Sequence, residues 1–162
     1  MLEPGLLYFA FGCNMDRDLL SGVLGLEVRQ GHPAWADGWR LAFNKGGEVD
    51  GDAVVANLMP AKDGCAYGVV YSLPKKALSA LDEFERVPEH YRRETLWVQP
   101  EGRRGRQAVL VYLAQPAWIV EEGIPNPDYL ETLLRGAGAY DLPASYIEWV
   151  RALARGETIG GC

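Results

Sequence analysis

A turn of three small residues near the start of the chain has the composition of an anion-binding site. It follows the aromatic and apolar run Tyr8-Phe9-Ala10-Phe11, which is typical of a buried strand, and consists of Gly12-Cys13-Asn14. Glycine and asparagine tolerate positive φ, and small side chains leave backbone N–H groups accessible. Because successive N–H groups form a concave site for anions, the sequence predicts an anion-binding turn.

A second cluster, Leu81-Asp82-Glu83-Phe84-Glu85, places three carboxylates near the end of a predicted helix. The helix dipole disfavours negative charge there, so stability alone does not explain the cluster. On the helical wheel, Glu85 lies beside the inward-facing apolar residues, whereas Asp82 and Glu83 point outward. Burial would raise the pKa of Glu85 toward the range of a general acid–base catalyst.

The residues alone leave a structural explanation of Glu85 open. In this alternative it forms an ordinary ion pair with Arg92 or Arg93, in the strand that follows. Two tyrosines lie nearby in the predicted elements: Tyr91 opens that strand, and another ends the segment Pro125-Asn126-Pro127-Asp128-Tyr129. Tyrosines at such positions usually pack as amphipathic side chains.

The elements that must position these residues are strands interrupted by a short helix and a longer one, followed by two further helices. Strands are predicted at Leu6 to Phe11, Trp35 to Phe43, Ala53 to Met59, Ala66 to Leu73, Tyr91 to Val98 and Gln107 to Ala114. Helices are predicted at Asp16 to Leu24, Lys75 to Glu85, Tyr129 to Ala137 after the cap Asn126-Pro127, and Ala144 to Ala154, and a loop at Asn44 to Asp52. This order predicts an α+β fold: a small, mostly antiparallel, partly closed β-barrel with flanking helices.

Composition excludes several classes of function. The 162 residues, 48% apolar, fit a single domain over 1–162, and the net charge of −6 argues against nucleic acid binding. Three cysteines argue against a disulfide framework and for a reducing cytoplasm, and His32 and His90 are too few for a metal site. With no apolar run long enough to span a membrane and no signal segment, we expect a cytoplasmic protein without a membrane partner.

Taken together, the motifs resemble those of the γ-glutamylcyclotransferase family. The first is similar to its Tyr-Phe-Ala-Tyr-Gly-Ser-Asn signature, the second to Leu-Asp-x-x-Glu, and the third to Pro-x-Pro-x-Tyr, in the same order. The resemblance extends from Tyr8 to about Trp149. This sequence departs from the pattern at Phe11 for Tyr, at Cys13 for Ser, and at Arg86, where the family usually has Gly.

The resemblance implies a reaction and a role for each motif. The α-amine of a γ-glutamyl compound attacks its own γ-carbonyl, which yields 5-oxoproline and a free amine or amino acid without a metal or cofactor. Glu85 would carry the proton, and Tyr8 through Cys13, Tyr91 and Tyr129 would hold this small-molecule substrate. Backbone N–H groups of Gly12, Cys13 and Asn14 would supply a carboxylate clamp, oxyanion donors, or both.

Two other classes of function remain open. A cysteine hydrolase would use Cys13 with His32 or His90 as its base. A catalytically inactive binding module would keep the pocket without turnover, because fold does not guarantee chemistry. If the Phe11 position contacts substrate through a hydroxyl in relatives, preference would differ here, and Arg86 would lower the pKa of Glu85. The sequence names neither the leaving amine nor the oligomeric state, for which a homodimer is one option.

Overall fold

The computed structural model describes residues 5–48 and 52–157, and within these ranges five strands form a closed barrel. The strands are β1 (Leu6–Ala10), β2 (His32–Lys45), β3 (Val55–Leu73), β4 (Tyr91–Pro100) and β5 (Gln107–Ala114). The helices are α1 (Arg17–Leu24), α2 (Leu78–Phe84), α3 (Pro127–Ala139) and α4 (Ala144–Ala154). The barrel order is β1-β3-β2-β4-β5, and a parallel pairing of β1 with β5 closes it. The other pairings are antiparallel, so the predicted α+β barrel is confirmed, and it is fully closed.

The largest differences from the predicted elements lie in the hairpin of β2 and β3. β2 continues to Lys45, so the first two residues of the predicted loop belong to a strand, while residues 49–51 of that loop lie outside the described part. β3 is one strand where two were predicted, because Pro60 and Cys65 still pair with β2. Pro60 and Gly64 suggest a break locally, but cross-strand pairing decides the outcome.

The helices start and end close to the predicted positions. Asp16 caps α1 by accepting the Leu19 N–H, and Asn126 caps α3 by accepting the Asp128 N–H at 2.9 Å. The predicted middle helix begins as a short 3₁₀ turn, Lys75–Ala77, and its α-helical part ends at Phe84. Glu85 is therefore the C-terminal cap residue of α2. No helix in the described ranges has the length and apolar character needed to cross a bilayer.

The cysteines give a mixed outcome. Cys13 is free, whereas Cys65 is disulfide-bonded. A framework of several bonds, which the sequence argued against, needs at least four cysteines, and the chain has three. The bond at Cys65 is at odds with the reducing compartment that the sparse cysteines led us to expect, so the cytoplasmic location stays a prediction.

Helix α3 packs directly on the turn that follows β1, and Gly136 makes this approach possible. A Cβ at Gly136 would lie 2.5 Å from both the Asp16 nitrogen and the Met15 carbonyl carbon, which are backbone atoms that side-chain rotation cannot move. Gly138, two residues further along α3, has no such neighbour within 4 Å. The two glycines therefore form a matched pair for a test of this contact.

Gly136→Ala should lower the free energy of unfolding by about 2 kcal/mol, because overpacking forces the backbone apart. Gly138→Ala should instead stabilise the protein by about 0.5 kcal/mol, since alanine restricts the unfolded chain and favours the helix. Urea unfolding of both variants measures the two effects. Equal effects of the two substitutions would contradict the close packing of α3 on the turn.

Candidate active site

A cavity of about 330 Å³ brings together the segments that the sequence singled out. Eight of the ten predicted site residues line it: Tyr8, Phe11, Gly12, Cys13, Asn14, Glu85, Tyr91 and Tyr129. The other two, Phe9 and Ala10, lie in the hydrophobic core instead, with 0% and 1% of their surfaces exposed. The remaining lining residues are Lys45, Val55, Ala56, Phe84, Arg86, His90 and Tyr112.

The turn after β1 is a single 3₁₀ turn. The Met15 N–H donates to the Gly12 carbonyl and the Asp16 N–H to the Cys13 carbonyl, both at 3.0 Å. Gly12 has a φ of −114°, so it does not use the positive φ that glycine permits. Its small size matters instead, because a Cβ there would lie 3.1 Å from the Tyr129 Oη.

The backbone N–H and carbonyl of one β3 residue, Ala56, hold two tyrosine hydroxyls. The Ala56 N–H donates to the Tyr129 Oη at 3.1 Å, and the Tyr91 hydroxyl donates to the Ala56 carbonyl at 2.9 Å. β2 pairs with one edge of β3 at this position, and the tyrosines satisfy the backbone groups on the other edge. Tyr91 and Tyr129 thus form a firmly held wall of the cavity, in addition to packing as amphipathic side chains.

Asn14 and Tyr8 form the closed side of the cavity, each 3% exposed. The Asn14 Nδ2 donates to the Tyr8 Oη at 3.1 Å, which leaves the Tyr8 proton available to another acceptor. The Asn14 Oδ1 is buried and has no hydrogen-bond partner among the described residues. A buried acceptor without a donor is costly, so this oxygen is suited to accept an N–H from a ligand. Phe11 also lines the cavity, but its side chain has no hydroxyl that could bind a ligand.

Glu85 carries the carboxyl group of the cavity. Burial raises the pKa of this carboxyl from 4.5 to about 7, and the Lys45 ammonium opposes the rise. The ion pair proposed as the structural alternative is not formed in the described ranges: Arg93 binds Asp82 at 2.7 Å, and Arg92 binds Glu94. Near neutral pH, therefore, both the acid and the base forms of Glu85 are populated.

Arg86 does not act on Glu85 as the sequence suggested. Its guanidinium pairs with Glu48, and the nearby cation that lowers the pKa of Glu85 is Lys45. Arg86 has a φ of 53°, in the left-handed region that favours glycine. A glycine at this position would adopt the same backbone conformation without the steric cost of a side chain.

Sequence reasoning missed Lys45 as a site residue and considered His90 only as a base for Cys13 or as a metal ligand. The Lys45 Nζ donates to the His90 Nδ1 at 2.6 Å, and the His90 ring stacks on Trp118 with centroids 3.7 Å apart. Burial lowers the pKa of both groups, and the Lys45 and Arg86 charges lower that of His90 further, so His90 is a neutral acceptor. Lys45 lay in a predicted loop, and no spacing in the sequence pairs it with His90.

The geometry disfavours a cysteine nucleophile. Burial and the Glu85 carboxylate raise the pKa of the Cys13 thiol to about 12, whereas a nucleophilic cysteine needs a lowered one. The Nδ1 of His90 is occupied by Lys45, and His32 is bonded to Gln107 at 3.3 Å, outside the cavity lining. Within residues 5–48 and 52–157, no group of three His, Cys, Asp or Glu side chains could hold a metal ion.

Fold and site together define a barrel that brings a short turn and a helix-capping glutamate into one tyrosine-walled cavity. The chain belongs to the AIG2-like family, whose model matches residues 66–150, more than half of its length. This match includes Glu85, Tyr91 and Tyr129 but not the turn at Gly12.

A curated protein and several solved structures are similar to this chain. The γ-glutamylaminecyclotransferase of Bos taurus is 36% identical over 108 residues, which are 64% of this chain and 61% of the bovine protein. The match thus spans less than two thirds of that curated relative. A solved structure named γ-glutamyl cyclotransferase has a TM-score of 0.81 at 23% identity and covers 91% of this chain and 87% of its own. YkqA from Bacillus subtilis has a TM-score of 0.83 at 25% identity and covers 98% of this chain and 57% of its own.

Proposed function

We propose that the protein is a γ-glutamyl cyclotransferase that converts a γ-glutamyl compound into 5-oxoproline and a free amine or amino acid. The observation that carries this proposal is the carboxyl group of Glu85, which faces the cavity, is unpaired among the described residues and has a pKa raised by burial to about 7. A group with this pKa can accept a proton and return it at neutral pH. The names of the relatives point to the same class of reaction.

The reaction requires a proton transfer and a substrate held in the conformation that cyclises. The α-nitrogen attacks the γ-carbon, a new C–N bond closes the five-membered ring, and the original amide C–N bond breaks. Glu85 takes a proton from the attacking nitrogen and delivers it to the leaving nitrogen, so that no net proton is consumed. Because nucleophile and carbonyl belong to one molecule, holding the chain in a folded shape supplies much of the acceleration.

The closed side of the cavity suits the glutamyl part of the substrate. The unpartnered Asn14 Oδ1 accepts an N–H of the α-amino group, and the Tyr8 hydroxyl donates its free proton to an oxygen. Gly12, Cys13 and Asn14 also line the cavity, and the amides of this turn would donate to the α-carboxylate or the oxyanion. The cavity volume of about 330 Å³ is in the range of small-molecule sites.

A panel of γ-glutamyl amino acids and γ-glutamyl amines, assayed for 5-oxoproline by chromatography, tests the proposal. At least one member should be turned over, and Cys13→Ser should retain the activity because the mechanism uses no thiol. Loss of activity in Cys13→Ser with retention in Glu85→Gln would overturn the cyclisation mechanism. Binding of panel members by calorimetry without any 5-oxoproline would favour the alternative, a catalytically inactive γ-glutamyl-binding module.

A further inference from the structure

A buried ammonium group lines the cavity, and the proposed proton transfer does not use it. Lys45 ends β2, and only 7% of its surface is exposed. Lysines are rarely buried to this degree without a partner of opposite charge. Among the described residues, its side chain donates one hydrogen bond, to His90, and forms no ion pair. Two of its three N–H donors are therefore available to a ligand in the cavity.

Neighbouring rings hold the ammonium group in place. The His90 Nδ1 accepts from the Lys45 Nζ at 2.6 Å, and the His90 Nε2 lies 3.5 Å from the Glu48 carboxylate. The Lys45 Nζ also lies 4.8 Å from the centre of the Trp118 ring, a cation–π distance. A cation fixed by this many contacts loses little further freedom when a ligand binds, so it is preorganised.

The cavity has a closed side and a side that is open to solvent. Tyr8 and Asn14 are each 3% exposed, whereas Phe84 is 43% exposed and the Arg86 side chain 50%. Glu85 interacts electrostatically with Tyr8 and with Lys45. Lys45 is buried like Tyr8, but its charge interacts with that of Arg86, which links it to the exposed residues. Since the proton moves at Glu85, the scissile amide lies there. With the glutamyl part on the closed side, the leaving part extends toward Lys45 and the exposed residues.

The charges on this side of the cavity indicate which kind of leaving group fits there. The Glu48 carboxylate neutralises the charge of Arg86. Lys45 is then the buried cation on this side. We propose that Lys45 binds the carboxylate of the leaving amino acid, so that γ-glutamyl-α-amino acids are preferred over γ-glutamyl amines that lack a carboxylate. This inference rests on the proposed function. A carboxylate receives two charge-assisted hydrogen bonds from the available donors, whereas a neutral alkyl group receives none.

A pair of substrates that differ only in this carboxylate tests the inference. γ-Glutamylalanine and γ-glutamylethylamide release alanine and ethylamine, which differ by one carboxyl group. The protein should have a kcat/KM about 10- to 100-fold higher for γ-glutamylalanine, the effect of a charge-assisted hydrogen bond. Lys45→Met keeps the apolar stem and removes the charge, so it should lower kcat/KM for γ-glutamylalanine by that factor and bring the ratio between substrates close to about 1.

The ratio separates substrate binding by Lys45 from its effect on Glu85. A change in the pKa of Glu85 alters both substrates alike and leaves the ratio unchanged. Lys62→Met, at an exposed position of β3, is the control and should keep the wild-type ratio. Equal loss for both substrates in Lys45→Met, or equal turnover by the wild type, would overturn the inference alone. No 5-oxoproline from either substrate, with turnover of another member of the panel, would also overturn the inference alone. No 5-oxoproline from any member of the panel would overturn the proposed function and this inference with it.

Discussion

Glu85→Gln should lower the rate constant of 5-oxoproline formation by about 100- to 10,000-fold, the usual contribution of a positioned general acid–base group. The amide has nearly the same shape as the carboxyl group, but it cannot accept the proton of the attacking nitrogen. Binding should change much less, since the glutamyl part contacts Tyr8, Asn14 and the turn in the proposed mode. Single-turnover measurements of 5-oxoproline release separate the chemical step from binding and product release.

Glu83→Gln is the matched control for this prediction. Glu83 lies in the same helix, two residues away, and its side chain is exposed outside the cavity lining. It should retain the wild-type rate within about twofold, as expected for surface substitutions away from special features. A Glu85→Gln variant as active as Glu83→Gln would show that another group carries the proton.

Local patterns in the sequence predicted the residues whose placement depends on a single element. The apolar phase of α2 separates Glu85 from its two acidic neighbours. The phase does not by itself explain the burial of Glu85, because Phe84 on the same face is 43% exposed and Glu85 only caps the helix. The turn after β1 follows from a strand that ends in small residues. For Asp82, however, the prediction of an outward position is incomplete, because this carboxylate accepts the Tyr112 hydroxyl at 2.8 Å while pairing with Arg93.

Contacts between distant elements could not be predicted in this way. Whether Lys45 belongs to a loop or a strand depends on the register of β2 against β3, which local propensity does not determine. Its contact with His90 joins residues 45 positions apart, and the contact of Tyr129 with Ala56 joins residues 73 apart. These long-range contacts set the electrostatics around Glu85, and they explain why the cation beside it is Lys45 and not its neighbour in sequence.

The raised pKa of Glu85 also has a consequence for folding. A carboxyl group whose pKa is 4.5 when unfolded and about 7 when folded keeps its proton longer in the folded state. Between these two values the folded state binds more protons than the unfolded state, so stability falls as the pH rises. Below pH 4.5 both states are protonated and the group makes no difference, while above pH 7 the loss is complete. At about 1.4 kcal/mol per pH unit, the total cost is about 3 kcal/mol.

Glu85→Gln should remove this cost, because the amide stays neutral at every pH. Its free energy of unfolding should match that of the wild type near pH 4.5 and exceed it by about 3 kcal/mol at pH 8. Urea titrations of both proteins from pH 4.5 to pH 8 measure the difference, in which the other titrating groups cancel. Glu83→Gln, at an exposed position outside the cavity lining, is the control and should have a free energy of unfolding within about 0.5 kcal/mol of the wild type. Parallel profiles for Glu85→Gln and the wild type would mean that the carboxyl group is solvated in the folded state, and the argument for a poised acid–base catalyst would then fail together with the stability prediction.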